Sequence, residues 1–247
     1  MYLLGDIGNT ETKICLVNFN QKIIKKVVLK TNSISRKTLN SKLKFFLKKS
    51  KKIDKILFSS VVPPIFKLIK FYFLKNFKKQ CFELKKMKIN KIIKILVNKK
   101  QIGSDRLANA ISVINNKDNF IIVDFGTATT FDVIIKNQYL GGVIAPGVDL
   151  SLKTLSSKAS LIPYINLSKI YKVIGNNTIS AVRSGFFWGY SGLINNLIKL
   201  IIKQTKKSYK IVLTGGLSYL FKNSVRGKKI IIKDLTIYGL YKVLKKI

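Results

Sequence analysis

The sequence contains no histidine and only ten acidic residues among 247, so general-base or metal-ligating chemistry has few side chains available. Its two cysteines, Cys15 and Cys81, are too few for a disulfide framework or a zinc site, which fits folding in a reducing compartment. The N-terminus lacks the basic segment of a signal peptide, and the most apolar long stretch, residues 186–202, is interrupted by polar residues. We therefore expect a cytoplasmic protein with no membrane span.

Negative charge is scarce, and the formal net charge is +37. Such a charge is typical of proteins that bind nucleic acid. However, arginine supplies only four of the 47 basic residues, and arginine is the residue that base readout and bidentate phosphate contacts favour. Because lysine, isoleucine and asparagine are enriched together along the whole chain, we interpret the charge as a compositional bias and do not expect nucleic acid as a partner.

The apolar pattern predicts an α/β protein in which a three-stranded meander followed by helices and further strands occurs twice. Strands are predicted at 2–5, 12–19, 22–29, 55–58 and 92–97, and again at 120–125, 130–135, 139–144 and 210–213. Helices are predicted at 39–49, 65–76, 184–203 and 235–245, and after the segment GSDR, where Ser104 or Asp105 is placed to cap the helix. We expect two domains, residues 1–116 and 117–247.

Each meander carries an aspartate and a glycine at its first turn, in DIGNTETK (6–13) and DFGTATT (124–130). Glycine allows a tight turn, the neighbouring amides and hydroxyls can donate to phosphate oxygens, and an aspartate at a strand end can hold hydrated magnesium. Five of the ten acidic residues lie in or beside the glycine-containing segments: Asp6, Glu11, Asp105, Asp124 and Asp132. One such turn is also an ordinary hairpin, but two in a repeat predict paired phosphate loops.

Two further segments have a structural and a functional interpretation. In the absence of histidine, Asp105 is a candidate general base for a substrate hydroxyl, and Arg106 can pair with a substrate carboxylate. An Asp-Arg pair at a helix start is also an ordinary N-cap beside a surface charge. The glycines of TGGLS (214–218) allow close approach of a flat ligand such as adenosine, or form a simple strand-to-helix turn.

These segments together resemble the type III pantothenate kinase family of the acetate and sugar kinase, Hsc70 and actin superfamily. The matching motifs run nearly end to end: DIGNTETK (6–13), SSVVP (59–63), GSDR (103–106), DFGTATTFD (124–132), GGVIAPG (141–147), NNTISAVRSG (176–185) and TGGLS (214–218). The resemblance implies duplicated ribonuclease H-like (actin-like ATPase) domains, with mixed sheets flanked by helices and an ATP cleft between them. It also implies ATP-dependent phosphorylation of pantothenate to 4'-phosphopantothenate, the first step of coenzyme A biosynthesis.

The resemblance also implies roles for individual residues. Asp105 would be the general base, and pantothenate would contact Gly103, Ser104, Asp105, Arg106 and Thr178. ATP would contact Asp6, Ile7, Gly8, Asn9, Thr10, Glu11, Thr12, Lys13 and Thr127. Asp6 would hold Mg²⁺ through water, and Asp124 would bind a monovalent cation, K⁺ or NH₄⁺. Family members are homodimers, and the helix with Phe186, Phe187 and Trp188 is the candidate dimer surface.

The sequence departs from the family pattern in two places. The stretch LVNKKQIGSDR (96–106) lacks the tyrosine and Asn-Pro that usually precede the GxDR motif, and SSKASLIP (156–163) lacks a usual arginine. Two alternatives therefore stay open: a nucleotide-binding regulatory or nucleic-acid-binding homologue with weak catalysis, as among Bvg accessory factors, and a kinase that acts on another small alcohol.

Overall fold

The computed structural model describes residues 1–246 as two compact units. The first unit comprises residues 1–114, 137–139 and the chain from Asp234 onward, and the second comprises residues 115–136 and 140–233. The chain therefore passes between the units more than once. The expected domain boundaries, 1–116 and 117–247, stay a prediction, and each unit is described by its own ranges.

The first unit has strands β1 (Tyr2–Ile7), β2 (Glu11–Val17), β3 (Ile23–Lys30), β4 (Lys55–Ser60), β5 (Cys81–Glu83) and β6 (Lys94–Ile95). Its helices are α1 (Arg36–Lys42), α2 (Lys44–Lys48), α3 (Pro63–Phe77), α4 (Ser104–Val113) and α8 (Leu235–Lys246). Short 3-10 turns lie at Thr31–Ser33, Ser50–Lys52, Leu84–Lys86 and Ile89–Lys91. The sheet has the order β3-β2-β1-β4-β5, antiparallel from β1 to β3 and parallel from β1 to β5.

Helices cover both faces of this sheet. Because side chains alternate along a strand, Leu3 and Ile7 of β1 face one layer, where they join a core with α1, α2 and α3. Asp6 points to the opposite face. Helices α4 and α8 both pack against β4, and α8 also packs against β1. Neither helix contributes to the core named above. The carboxylate of Asp6 and helix α4, which begins at Ser104 of GSDR, therefore lie on the same face of the sheet.

The second unit repeats this arrangement. Its strands are β7 (Asn119–Phe125), β8 (Ala128–Ile135), β9 (Gln138–Pro146, whose first two residues belong to the first unit), β10 (Lys210–Gly215) and β11 (Lys229–Ile231). Its helices are α5 (Val148–Lys158), α6 (Thr178–Thr205) and α7 (Ser218–Phe221). Over these five strands the order β9-β8-β7-β10-β11 matches that of the first sheet, with β7 and β8 antiparallel and β7, β10 and β11 parallel. The sixth strand of this sheet is β6, which pairs in parallel with the first two residues of β9. This confirms the predicted α/β class with mixed sheets flanked by helices.

Local sequence explains several helix ends. Pro63 and Pro64 occupy the first two positions of α3, where a missing N–H costs nothing, and α3 ends at Lys78 in the left-handed conformation. Asn177 and Ser180 form a capping box at the start of α6. None of the described helices has the combined length and apolar character that crossing a bilayer requires.

The structure corrects some predicted elements. The helix predicted at 39–49 is two short helices, α1 and α2, which meet at Leu43, and the strand predicted at 92–97 is reduced to the two residues of β6. The helix predicted at 184–203 begins earlier, at Thr178, because the capping box starts it there. The pattern did not predict α5, β5 or β11. Two of these three are only three residues long, too short to show an apolar period.

Candidate functional site

Asp105 lies in the first turn of α4 and is partly buried. Its Oδ1 accepts a hydrogen bond from the backbone N–H of Arg106 at 2.8 Å. A Cβ on Gly103 would lie 2.3 Å from the same Oδ1, so only glycine leaves room for the carboxylate in this position. The G and D of the GSDR motif are thus sterically linked.

The predicted helix cap is wrong. Gly103 is the N-cap residue of α4, and no side chain caps the helix. The hydroxyl of Ser104 instead donates to Oε1 of Glu83 at 2.6 Å, because a carboxylate is a stronger acceptor than a neutral group. Ser104 is therefore held from outside its own helix.

Burial raises the pKa of Asp105 above the usual value of an aspartate, since desolvation disfavours the charged form. The backbone N–H and the charge of Arg106, and the charge of Lys85, oppose this rise. A carboxylate with a raised pKa is a better proton acceptor than an exposed one. The surroundings of Asp105 therefore suit a general base.

Helix α8 packs closely against helix α4. Gly239 of α8 lies so close to α4 that a Cβ there would be 1.9 Å from the carbonyl oxygen of Ala108. Thr236 Oγ1 and Asn109 Oδ1 are 2.9 Å apart, which ties the same two helices with a hydrogen bond. The C-terminal helix of the chain thus sets the position of the helix that carries Asp105.

The turn between β1 and β2 is closed by a hydrogen bond from Gly8 N to Glu11 O at 3.0 Å. Asn9, Thr10 and Glu11 are exposed there, whereas Ile7 and Thr12 are buried. The Thr12 hydroxyl lies 3.0 Å from the Thr31 hydroxyl. Thr12 thus has a partner inside the unit, and we do not expect its hydroxyl to contact ATP directly.

Contacts through Val61 bring the first turn and the GSDR segment near each other. The N–H of Val61 donates to Ile7 O at 3.0 Å, directly after Asp6. A Cβ on Gly103 would lie 3.7 Å from Val61 Cγ1, which is ordinary contact. In strand register, Asp6 is flanked by Lys13 and Ser59, which share its face. Asp6, Lys13 and the Gly103–Arg106 segment therefore belong to one region of the first unit.

In the second unit, Asp124 is the penultimate residue of β7, and three glycines lie close to it or to the turn that follows. A Cβ on Gly215 would lie 2.6 Å from Asp124 Oδ1, and one on Gly126 would lie 3.9 Å from it. A Cβ on Gly147 would lie 2.0 Å from the carbonyl oxygen of Thr127. The glycines of DFGT, APG and TGG thus converge on one turn, which presents the exposed Thr127.

The remaining expected residues are more scattered. Thr178 is exposed at the first position of α6, on a different element from Asp124 and Thr127. Phe187 is 2% exposed and belongs to the core of the second unit, so it cannot contribute to a dimer surface, whereas Trp188 is 39% exposed. The described residues contain no cluster of three or more acidic or cysteine side chains that could hold a metal by themselves.

Sequence reasoning missed Glu83, Lys85 and Thr31, and it gave Val61 no role although Val61 lies in the motif SSVVP (59–63). Glu83 is one of only ten acidic residues, and that scarcity was the available signal. Thr31 acts through contacts with residues far away in the chain, and no local pattern marks it.

The family model described as type III pantothenate kinase matches residues 2–200. A type III pantothenate kinase of Pelagibacter ubique is 64% identical over 97% of this chain and 97% of its own length. A solved structure from Campylobacter jejuni, described as a conserved Baf family transcriptional activator, is 24% identical over 99% of this chain and 98% of its own, with a TM-score of 0.60. One from Porphyromonas gingivalis, described as an N-acetylglucosamine kinase, is 13% identical over 100% and 99%, with a TM-score of 0.55.

The two solved structures show the fold alone, which agrees with the actin-like ATPase architecture that the motifs imply. The activity rests on the sequence relatives, which favour the kinase over a regulatory or nucleic-acid-binding homologue. The match covers almost the whole chain and includes both aspartate-bearing turns and GSDR. The chain therefore belongs to the type III pantothenate kinase family.

Proposed function

We propose that Asp105 is the general base with which this pantothenate kinase deprotonates the acceptor hydroxyl of pantothenate during phosphoryl transfer from ATP. The single observation that carries the proposal is the position of this partly buried carboxylate at the start of α4, on the sheet face that Asp6 shares. Among the ten acidic residues, Asp105 combines a raised pKa with a position beside a phosphate-loop candidate.

ATP is assigned to the turns of both units, to residues Asp6–Lys13, with Thr12 supporting the turn through its contact with Thr31, and to Thr127. Exposed backbone and hydroxyl groups at Asn9, Thr10 and Thr127 suit phosphate oxygens, and Lys13 adds positive charge on the face of Asp6. These groups bind and orient the triphosphate, which is most of what phosphoryl transfer requires of a protein.

Asp6 is the proposed Mg²⁺ residue, through water, and Asp124 the proposed residue for K⁺ or NH₄⁺. Each is a hard oxygen donor at a strand end, and the glycines around Asp124 leave space beside its carboxylate. When bound, such cations neutralise phosphate charge. A single protein carboxylate at each place fits ions that keep water or phosphate oxygens as their other ligands.

Pantothenate is assigned to Gly103, Ser104, Asp105, Arg106 and Thr178. The guanidinium of Arg106 suits the pantothenate carboxylate, because a planar fork of donors matches two carboxylate oxygens. Asp105 then needs only to accept the hydroxyl proton.

We further propose that the chain acts in the cytoplasm as a homodimer, with the exposed Trp188 rather than Phe187 near the subunit contact.

The test is a coupled assay of ADP release by the purified protein with ATP, Mg²⁺, K⁺ and pantothenate. We expect pantothenate-dependent turnover, loss of turnover in Asp105→Asn by about 100-fold or more, and retained ATP binding in that variant. The matched control is Asp54→Asn, an exposed carboxylate of the same unit, which should behave as the wild type. Wild-type protein without turnover, or an active Asp105→Asn variant, would overturn the proposal.

A further inference from the structure

Glu83 and Lys85 both hydrogen-bond to the segment that leads into α4 and to its first residue. Glu83 ends β5 and accepts two hydrogen bonds, from Ser104 Oγ to Oε1 at 2.6 Å and from the backbone N–H of Lys85 to Oε2 at 2.8 Å. Each oxygen of the Glu83 carboxylate thus accepts a hydrogen bond. Neither Glu83 nor Lys85 has a role in the function proposed above.

Lys85 holds the same segment through its side chain. Its Nζ donates to the carbonyl oxygen of Lys100 at 3.0 Å and to that of Ile102 at 2.9 Å. Residues 98–101 also form a local turn. In it, Oδ1 of Asn98 accepts from Lys100 N, and the carbonyl oxygen of Asn98 accepts from Gln101 N. Charged donors and acceptors form stronger hydrogen bonds than neutral ones, so Glu83 and Lys85 are the strongest anchors of residues 100–104.

We propose that Glu83 and Lys85 are positioning residues for catalysis: together they fix residues 100–104 and so set where the carboxylate of Asp105 stands relative to the acceptor alcohol. The proposal rests on the proposed role of Asp105 as general base. Glu83 fixes the side chain immediately before Asp105, and Lys85 fixes the backbone immediately before Gly103. A Cβ on Gly103 would meet Asp105 Oδ1 at 2.3 Å, so the positions of Gly103 and of the Asp105 carboxylate depend on each other.

The proposal predicts an effect on the acceptor substrate rather than on ATP. The anchored segment leads to the residues assigned to pantothenate, whereas the β1–β2 turn is held by Thr31, on another element. A displacement of about 1 Å between reacting groups can lower a rate by about 100-fold. Loss of an anchor should therefore lower kcat/KM for pantothenate and leave the Kd for ATP nearly unchanged.

Lys85 should also act on the proton affinity of Asp105. The charged groups that act on this carboxyl are Arg106 and Lys85, and both lower its pKa against the effect of burial. Removal of the Lys85 charge should raise the pKa of Asp105 further. Because the ionised form is the base, the acidic limb of the pH profile of kcat/KM should move to higher pH in Lys85→Met and stay in place in Lys85→Arg.

The experiment compares Glu83→Gln, Lys85→Met, Lys85→Arg and the control Lys86→Met, an exposed neighbour on the same 3-10 turn. We expect kcat/KM for pantothenate to fall about 10- to 100-fold in the first two variants, with the Kd for ATP within about twofold of wild type. Lys86→Met should match the wild type. Should a variant lose ATP binding in the same proportion, or keep full activity, the positioning role is refuted.

A second readout does not depend on turnover. A carboxyl ¹³C NMR titration can follow Asp105 in a protein with only ten acidic side chains, assigned with Asp105→Asn. A raised Asp105 pKa in Lys85→Met supports the electrostatic link between Lys85 and Asp105, and an unchanged value refutes that link. If Lys85→Met does not fold, Lys85→Gln removes the charge and keeps a donor for the same comparison. Wild-type protein that is inactive on pantothenate would refute the proposed function, while this titration would still test the link between Lys85 and Asp105.

Discussion

The turn after β1 and the turn after β7 take corresponding places in two sheets of the same strand order, but they are held by different means. In the first unit, Thr31 Oγ1 donates to Gly8 O at 2.7 Å, and the backbone N–H of Thr31 donates to Thr10 O at 2.9 Å. Because the Thr31 proton goes to Gly8, the Thr12 hydroxyl is the donor in its contact with Thr31. A chain of hydroxyls thus fastens the first turn.

In the second unit, glycines lie close against the turn at the corresponding positions. Thr31 is the first residue after β3, and Gly147 is the first after β9. At Gly147 there is no room for any side chain beside Thr127 O. Ser60 pairs with Ile7 in the first sheet, and the corresponding partner of Phe125 is Gly215, with a φ of +85°.

Side-chain hydrogen bonds are thus prominent at the first turn and close glycine contacts at the second, in units of the same topology. Side-chain hydrogen bonds and glycine contacts respond differently to substitution. A lost hydroxyl leaves polar groups unsatisfied, whereas an added methyl group forces the backbone to move. The second turn should therefore be the more sensitive to small additions, and the first to the loss of polar atoms.

Gly215→Ala should give the largest effect. Its φ is unfavourable for alanine by about 1–2 kcal/mol. The new Cβ would also lie 2.5 Å from Phe125 O and 2.6 Å from Asp124 Oδ1. We expect the free energy of unfolding to fall by about 3 kcal/mol or more, measured by urea denaturation. Because Asp124 must shift, the proposed binding of K⁺ at Asp124 should also weaken.

The matched change is Ser60→Ala in the first unit. The Ser60 hydroxyl accepts from Val62 N at 3.2 Å, so its loss should cost only about 0.5–1.5 kcal/mol. If the two variants lost equal stability, glycine packing would not be what distinguishes the second turn.

Much of this comparison was accessible from the sequence. The repeated DxG turns and the alternating apolar strands predicted the duplicated α/β meander, because both signals are local. The same signal was misleading in detail: Gly8 and Gly126 do not have a positive φ, whereas Gly215 does. A Cβ on Gly8 would lie 3.1 Å from Glu11 O, a close contact, whereas a Cβ on Gly126 would meet its neighbours at ordinary distances.

The contacts that hold the candidate site were not accessible. Ser104 lies 21 residues from Glu83, and Thr31 lies 23 residues from Gly8. Pairings at such separations depend on how the sheet and its loops pack, and local secondary-structure propensity does not predict them. For the same reason Ser104 was expected to cap α4, although the folded chain offers it a carboxylate instead.

Thr31→Val should give an intermediate effect in the first unit. Valine keeps the shape but leaves Gly8 O and the Thr12 hydroxyl without the Thr31 oxygen, and Thr31 is only 3% exposed. We expect a loss of about 1–3 kcal/mol in urea denaturation, since buried polar groups lose their partner. The KM for ATP should rise while the KM for pantothenate changes little. A rise confined to pantothenate would contradict the assignment of this turn to ATP.

Thr129→Val should give the smallest effect and can even stabilise the protein. Thr129 pairs with Phe125 as Thr12 pairs with Ile7, and both threonines are fully buried. The Thr129 hydroxyl, however, has no hydrogen-bond partner. Replacing it with a methyl group of the same shape removes an unsatisfied polar atom, so the free energy of unfolding should change by less than about 0.5 kcal/mol or increase. The matched Thr12→Val should lose about 1 kcal/mol or more, because its hydroxyl serves Thr31. A destabilisation of Thr129→Val as large as that of Thr12→Val would mean that the second turn also depends on a hydroxyl, and the contrast between the two turns would fail.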